Sequence, residues 1–568
     1  MNSKINQRKK RQISLLFVIY SLLFSVALSS CSDFFDSDLT DVTPIDGRTV
    51  QQERDAFYQM NGILQLLQQV GDDYIIAGEL RGDLMSQTVN SSQDLRDIEF
   101  FQADSTNSYL AERKLYALVN NCNYLIASLD RDYMGLKADT LASQAKCLRA
   151  WAFLQLALDY GKVHYYTNPI LADGQTATNV QELTLLPLLS CLVSDLLPYL
   201  PADGEHERLP FEEGEYSSIG GYATRQLFIP VRYMLGELYM WQENFYEAAH
   251  MYYQLMLDRQ LTVPSLRNRW RNNLCQEVST RTWDGQFASL TTSNQVAVIP
   301  FSSDFATGKT RLPALFDTDY QLSASSQCLR TFTEQQFTIN LLAVPVSGDL
   351  RGEGLTTDFG SYVMRRAATD DDEATEAHIT KLRKMRASDA YYIPLARAAG
   401  IYLRYAEAVN RLGLHRLAFA VLKYGLNATT LQNTNYIGQL DVAQYPFADF
   451  GQQNRNLEAT FAANAPLHSR GSGDADMNSS FAIDTSTGLD SLTDVENKIM
   501  TEYVLECAFE GSRFHDLMRI SQYRRSPQYL AATVARKLAA VPGSPRSAEA
   551  WTQYLSDERN WYLPALPR

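Results

Sequence analysis

Positive charge, cysteine and long apolar runs are all scarce in this sequence, and each scarcity removes a class of function. Lys and Arg total 51 against 65 Asp and Glu, a formal charge of −14. Residues 1–30 hold five of the positive side chains and no acid, so the balance without them is −19. No basic run follows Arg11, and a chain this acidic lacks the phosphate-neutralising surface that nucleic-acid binding needs. Seven cysteines occur in 568 residues, and the six beyond Cys31 (122, 147, 191, 275, 328 and 507) include no pair at metal-site or redox-motif spacing. Cys122, Cys147, Cys191 and Cys507 fall inside apolar helical patterns, where a free thiol acts as a small buried hydrophobe, so no structural disulfide is expected, the alternative being a Cys122–Cys147 bridge between neighbouring helices. The seven His are scattered, and HExxH, GxSxG and P-loop patterns are missing. The acidic run Asp370–Glu373 is the one candidate for a structural divalent cation. Nothing else asks for a metal, a cofactor or a catalytic group, and the chain is read as a non-enzyme.

The single long apolar run is Ile13–Leu28, 16 residues, short of the ~20 that a membrane-spanning helix needs. It follows the basic stretch Lys4–Arg11 and ends in small residues, the order of a secretory signal. The ending Leu28-Ser29-Ser30-Cys31 resembles the lipobox of a bacterial lipoprotein, in which only a thiol takes the diacylglyceryl group. Residues 1–30 are therefore read as a signal peptide, Cys31 as the lipidated residue and 31–49 as a tether. At ~0.8 kcal/mol per buried CH₂, several acyl chains hold a protein to a membrane without any spanning segment. The acids that follow Cys31 (Asp33, Asp36 and Asp38) resemble the surface-export tag of Bacteroidetes lipoproteins; the alternative is a plain solvated tether facing the periplasm.

Beyond the tether, 45% hydrophobic content provides for a large core. Apolar residues recur at helical spacing over 50–70, 109–130, 141–160, 185–197, 223–241, 245–258, 394–412, 414–426 and 495–513. The tracts 71–108, 260–390 and 430–494 lack that period, apart from β-like runs at 296–301 and 337–346. One internal repeat is visible: Leu235-Gly236-x-x-Tyr239, then Phe245, Ala248 and Tyr252, has tetratricopeptide spacing, and Ala406 and Ala418 repeat its two small positions. Small residues there let two antiparallel helices approach while rings fill the space beside them. The expected fold is mostly α, a tetratricopeptide-like helical-repeat scaffold (mainly 50–70, 109–258, 394–426 and 495–524) with a large loop-rich region carrying a few short strands.

Taken in series, eight stretches resemble the SusD/RagB family of nutrient-binding outer-membrane lipoproteins of Bacteroidetes. They are SSCSDFFD (29–36), GELRGDLM (78–85), AKCLRAWAFLQLALDYGKV (145–163), RYMLGELYMWQENFYEAA (232–249), YYIPLARAAGIYLRYAEAVNRLG (391–413), LHSRGSGD (467–474), VLECAFEGSRFHDLMR (504–519) and NWYLPALP (560–567). The resemblance implies one SusD-like domain over 50–568, about four tetratricopeptide-like helix pairs, and a SusC-like TonB-dependent barrel as partner. It also implies an outer-membrane location, lipid-anchored and facing outward. The charged residues of these stretches read as structural: Glu407 lies one turn from Arg404 and Arg411, and Glu510, Arg513 and Asp516 are placed to pair within the scaffold. No role is carried onto Arg397, and Arg81-Gly82-Asp83 matches an integrin tripeptide by spelling only.

A neutral glycan offers C–H faces that pack on aromatic rings and hydroxyls that hydrogen-bond to Asp and Asn. Rings for such a site belong in the irregular tracts, because those on repeat helices are committed to the core. The ligand-binding candidates are Asp83, Asn90, Asp94, Trp270, Trp283 and Tyr320, with Tyr74, Phe100 and Phe305 beside them. The expected function is capture of nutrient oligosaccharide for the transporter. Alternatives are the same architecture binding oligopeptides, which an acidic cleft would favour when they are cationic, and a periplasmic adaptor holding a protein partner.

Overall fold

The computed structural model describes residues 49–566, apart from 173–174, 176, 220, 264–294, 303–308, 340–343, 355–361, 367–374, 382–389, 451–463, 472–480 and 487. The signal segment, Cys31 and most of the tether lie outside the described residues, as does Cys275. Val50–Ile170 and Gly174–Arg568 form one compact unit. The unit is mostly α, with helical repeats and a loop-rich layer of short strands, as the sequence predicts. Successive helices joined by short turns pack on each other: Glu112–Ser128 with Leu136–Tyr160, Val231–Trp241 with Phe245–Arg259, Ala398–Arg411 with His415–Lys423, and Gln528–Ala540 with Ala548–Leu555. The small-residue logic holds at Gly236, where a Cβ would stand 2.7 Å from the ring of Tyr252. Ala406 and Ala418 are likewise fully buried. Among the described cysteines none is bridged; burial pushes the Cys122 thiol up to about 12, in keeping with an inert packed residue.

Element bounds differ from the periodicity where polar residues are buried. The first helix does not stop at Val70 but runs Glu53–Leu80. Its last third carries Asp72, Asp73 and Glu79 on the inside, which erases the amphipathic signal, and each finds a partner there. Asp72 accepts from Thr310 Oγ1 and the Arg311 amide (both 2.7 Å), and Asp73 binds Lys114 (2.5 Å) and Arg311 (3.1 Å). Glu79 accepts from the Gly511 amide (2.7 Å), at a contact so close that a Cβ on Gly78 would fall 1.7 Å from the Gly511 carbonyl oxygen. Gly511 itself has φ +95°, a left-handed conformation that glycine adopts without strain. The segment beginning at Pro394 is also reassigned. Ala390–Arg397 is a strand paired antiparallel with Gln295–Ser302, its register slipping after Pro394, and the helix starts at Ala398. The β-like run 337–346 is a hairpin, Gln336–Ile339 against Val344–Ser347. Nearby, Val363–Arg366 pairs antiparallel with Glu376–Ile379.

The loop-rich layer is moored to the scaffold by charge. Glu502 and Glu506, on the Ser491–Cys507 helix, and Glu510 just beyond it lie close together inside the protein. Arg351 binds Glu502 (2.7 Å), Glu506 (2.8 Å) and Asp349 (2.7 Å). Arg397 bridges Glu506 (2.8 Å) and Glu510 (2.7 Å), Arg470 reaches Glu506 (3.2 Å), and Lys381 reaches Glu510 (2.5 Å). Lys381 also donates to the carbonyls of Glu506 (2.8 Å) and Ala508 (2.9 Å), where the helix end presents unsatisfied acceptors. A second network links the helices themselves. Glu407 takes Arg519 (2.7 Å) and Tyr503 (3.0 Å) in addition to Arg411 (3.6 Å), whereas Arg404 turns to Glu237 (3.1 Å) and Asp516 (2.6 Å). In the short helical turn His468–Gly471, His468 meets Glu502 (3.1 Å) and Arg470 meets Glu506.

Burial alone would raise the Glu506 carboxyl, but the guanidiniums of Arg470, Arg397 and Arg351 outweigh it and hold the group down at about 2. A carboxylate whose folded value lies below its ordinary 4.5 contributes stability above that value and loses it as pH falls from about 4.5 toward 2. Glu506→Gln removes one partner and strands buried cations, a change that costs ~3–5 kcal/mol. Urea unfolding at pH 7 should register that loss, and the decline in stability between about pH 4.5 and 2 should become shallower in the variant. A variant as stable as the wild type, with an unchanged pH profile, would contradict this account of the pairing.

Candidate functional site

The irregular tract after the first helix meets the 310–325 segment edge to edge. Met85–Gln87 pairs antiparallel with Leu322–Ala324, and the chain beyond it stays attached: the Thr88 amide donates to the Gln321 carbonyl (3.1 Å), and the Ser92 amide to Gln321 Oε1 (3.0 Å). The Thr88 hydroxyl donates to the Tyr320 carbonyl and the Ser91 hydroxyl to that of Gln321. Ser92 caps the helix Gln93–Glu99, and Arg96 on that helix reaches back to the carbonyls of Ser91 (3.1 Å) and Val89 (3.0 Å). The tip between these fastenings is thereby held outward, with Val89 85% exposed and Asn90 exposed beside it. The Asn90 amide donates to Thr88 Oγ1 (3.1 Å), and its side chain has no partner among the described residues. Asp94 accepts from the amide (3.1 Å) and hydroxyl (2.5 Å) of Ser108 and remains half-buried.

Tyr320 is half-buried opposite this tip, with φ +44°. One face of its ring stacks on His378, centroids 4.2 Å apart, and its hydroxyl accepts from the Ala377 amide (2.9 Å). Burial raises the Tyr320 phenol above its usual value, so it stays a neutral hydroxyl at physiological pH. His378 is fixed from behind by Glu376 (3.0 Å) and the Phe316 carbonyl (3.1 Å). Arg311 lies over Tyr109, 4.5 Å from the ring centroid, and ties this surface to Asp72 and Asp73 of the first helix. Burial pushes the Asp73 carboxyl up to about 6 against the pull of Lys114 and Arg311. Charges of both signs are interleaved along the surface: Arg96, Arg311 and Arg366 against Asp94, Asp317 and Glu376, with Arg366 paired to Asp317. The result is a shallow platform with one backed ring, an exposed amide and paired charges, suited to an uncharged polar ligand.

Three of the candidates, Asn90, Asp94 and Tyr320, share this region. Asp83 does not join them. It is 2% exposed and grips Arg513 (2.6 and 3.1 Å), because Arg81-Gly82-Asp83 sits at the buried end of the first helix, where Arg81 in turn pairs with Asp159. Phe100 is buried against Trp551, and Tyr74 is half-buried against Trp151 and lines a pocket among the helices, so neither contributes a ring to this surface. Trp270, Trp283, Phe305 and the Asp370–Glu373 run lie outside the described residues. Among the described residues no group of three or more His, Cys, Asp or Glu is placed to hold a metal ion, and no helix is long and apolar enough to cross a membrane. Sequence reading missed His378, Thr88 and Arg311. A lone His in an irregular tract and a Thr whose partner is 232 residues away carry no local signal.

Residues 362–564 match the family model described as the SusD family. No curated protein sequence matches the chain. Among solved structures, the surface glycan-binding protein A from Bacteroides uniformis is similar at 16% identity and a TM-score of 0.54, over 90% of this chain and 96% of that one. A SusD superfamily protein from Bacteroides thetaiotaomicron is similar at 16% identity and a TM-score of 0.53, over 91% and 94% of the two chains. Another, from Bacteroides vulgatus, gives 15% identity and a TM-score of 0.52, over 84% and 89%. At these identities the likeness to solved structures is one of fold.

Proposed function

We propose, on the premise that this chain is a SusD/RagB-family protein, that it captures nutrient oligosaccharide at the cell surface and passes it to a SusC-like TonB-dependent outer-membrane transporter. The observation that carries the reading is the platform on which the Val89–Asn90 tip, Asp94 and the His378-backed ring of Tyr320 meet. Sugar C–H faces pack on the Tyr320 ring, and hydroxyls exchange hydrogen bonds with the Asn90 amide and the Asp94 carboxylate. Charges of both signs interleave on this surface, and Arg366 is paired with Asp317, which supports glycan over cationic peptide. Binding without turnover is the reading that the resemblance to SusD-family binding proteins supports. The solved relative from Bacteroides uniformis, described as a surface glycan-binding protein, supports the same choice. Trp270 and Trp283 remain proposed as further rings of the site.

In this reading residues 1–30 are removed as a signal, Cys31 carries the lipid, 31–49 form the tether, and 50–568 form the SusD-like domain that stands over the barrel. The outward-facing, lipid-held position follows from the lipobox and the acids behind it.

Isothermal titration of the mature chain against a glycan panel tests the cargo. Asn90→Ala and Tyr320→Ala should each weaken glycan binding about tenfold, or ~1.4 kcal/mol, with the melting temperature of Asn90→Ala unchanged. Wild-type affinity in both variants would remove the platform from the account, and binding of peptides with silence toward every glycan would make the cargo oligopeptide. Cys31→Ala should move the folded protein from the membrane fraction to the soluble one; retention in the membrane would overturn the lipid anchor.

A further inference from the structure

A partly open pocket of about 90 Å³ lies among the scaffold helices, and its lining shares no residue with the surface platform. Its wall comes from the first helix (Tyr74), from Leu136–Tyr160 (Trp151 and Gln155), from Val231–Trp241 (Glu237 and Trp241) and from Arg513–Tyr523 (His515). These six side chains have hydrogen-bonding capacity that no described residue uses. Gln155 is 6% exposed, and its Oε1 is buried with no donor in reach. The Tyr74 hydroxyl and the indole N–H groups of Trp151 and Trp241 have no partner among the described residues. His515 gives Nε2 to Asp159 (2.9 Å) and keeps Nδ1. Glu237 receives both Tyr252 (2.6 Å) and Arg404 (3.1 Å) on Oε1 and keeps Oε2.

An unmet polar group in an interior costs ~1–3 kcal/mol, which applies to Gln155 Oε1; the other five face the pocket and are placed to bind whatever enters it. The charges in the wall dictate its kind. Arg397, Arg404 and Arg519 are all paired with carboxylates at 2.6–2.8 Å, and an ionic guest would arrive desolvated with no counter-charge left to meet it. The free groups are a mixture of donors and acceptors interspersed with aromatic faces: Tyr74 and Trp151 meet edge to face at 5.6 Å. Hydroxyls on a short carbon chain answer both features, since each donates and accepts while the C–H groups pack on the rings. At ~10–15 Å³ per water, the volume suits several waters or one molecule of a few carbons.

We propose that this pocket is a binding site for a small neutral polyhydroxylated molecule of three to five carbons, held by Gln155, Tyr74, Glu237 and His515. It is independent of the surface platform and of whatever cargo the platform takes. Titration of the mature chain with glycerol, erythritol and xylose, followed by tryptophan fluorescence and calorimetry, should show saturable binding of at least one, and none of glycerate. Gln155→Leu should weaken that binding at least tenfold. Gly400→Ala adds a methyl to the cavity wall with its nearest neighbour, Cys507 Sγ, 4.0 Å away; as a helix-favouring change it should fold well and weaken binding severalfold. Asn90→Ala should leave polyol affinity unchanged, which separates this site from the surface one. The absence of saturable binding of all three compounds, tighter binding of glycerate, or unaltered affinity in both cavity variants would overturn the proposal.

Discussion

Glu502, Glu506 and Glu510 stand together at the inner end of one helix, and Arg351, Lys381, Arg397 and Arg470 converge on them from the segments that the helices leave uncovered. Such a group of charges contributes little net stability over well-packed apolar residues, because desolvation consumes most of the Coulombic gain. Its effect is positional. A guanidinium that must meet two carboxylates at once has few acceptable placements, so the segments carrying Arg351, Lys381 and Arg397 are held in one arrangement, beyond what their apolar contacts with the core specify. The sheet at Val363–Arg366 and Glu376–Ile379 supports His378, and His378 supports the ring of Tyr320. The surface chemistry thus depends on ion pairs buried well beneath it.

The same device joins the two ends of the chain. Arg81 with Asp159, Asp83 with Arg513, Glu79 with the Gly511 amide and Glu99 with Lys537 fasten the first helix region to later segments, two of the four reaching the helices Arg513–Tyr523 and Gln528–Ala540 and a third the turn before them. Residues 78–85 and 504–519 are two of the stretches by which the sequence resembles the SusD/RagB family, and in the fold they lie against each other. Their charged residues are structural, as the sequence reading holds for Glu510, Arg513 and Asp516. They also account for Asp83, an acid beside a loop that looks available for ligand and is occupied by Arg513.

Legibility followed the range of the interaction. The repeat around Gly236 and Tyr252 depends on residues one hairpin apart, and it was readable as small and large residues at fixed spacing. The scaffold helices were readable wherever one face is apolar. Where a helix buries charge, as Glu53–Leu80 does at Asp72, Asp73 and Glu79, periodicity ended ten residues early. Pro394 and the apolar residues around it satisfied a helical pattern, yet pairing with Gln295–Ser302 made the segment a strand. Asn90, Asp94 and Tyr320 are candidates in the sequence because irregular tracts free their side chains. Their convergence, brought about by a ladder between residues more than 230 apart, had no trace in the sequence.

The claim that buried charge positions the binding layer is tested most directly by native-state hydrogen exchange on the wild type and Arg351→Met at neutral pH. Methionine fills similar volume while releasing Glu502, Glu506 and Asp349 together. The account predicts faster exchange at the amides of Val363–Arg366 and Glu376–Ile379, with the Val231–Trp241 and Phe245–Arg259 hairpin protected as before. Unchanged protection in the strands, or equal loss across strands and hairpin, would contradict it.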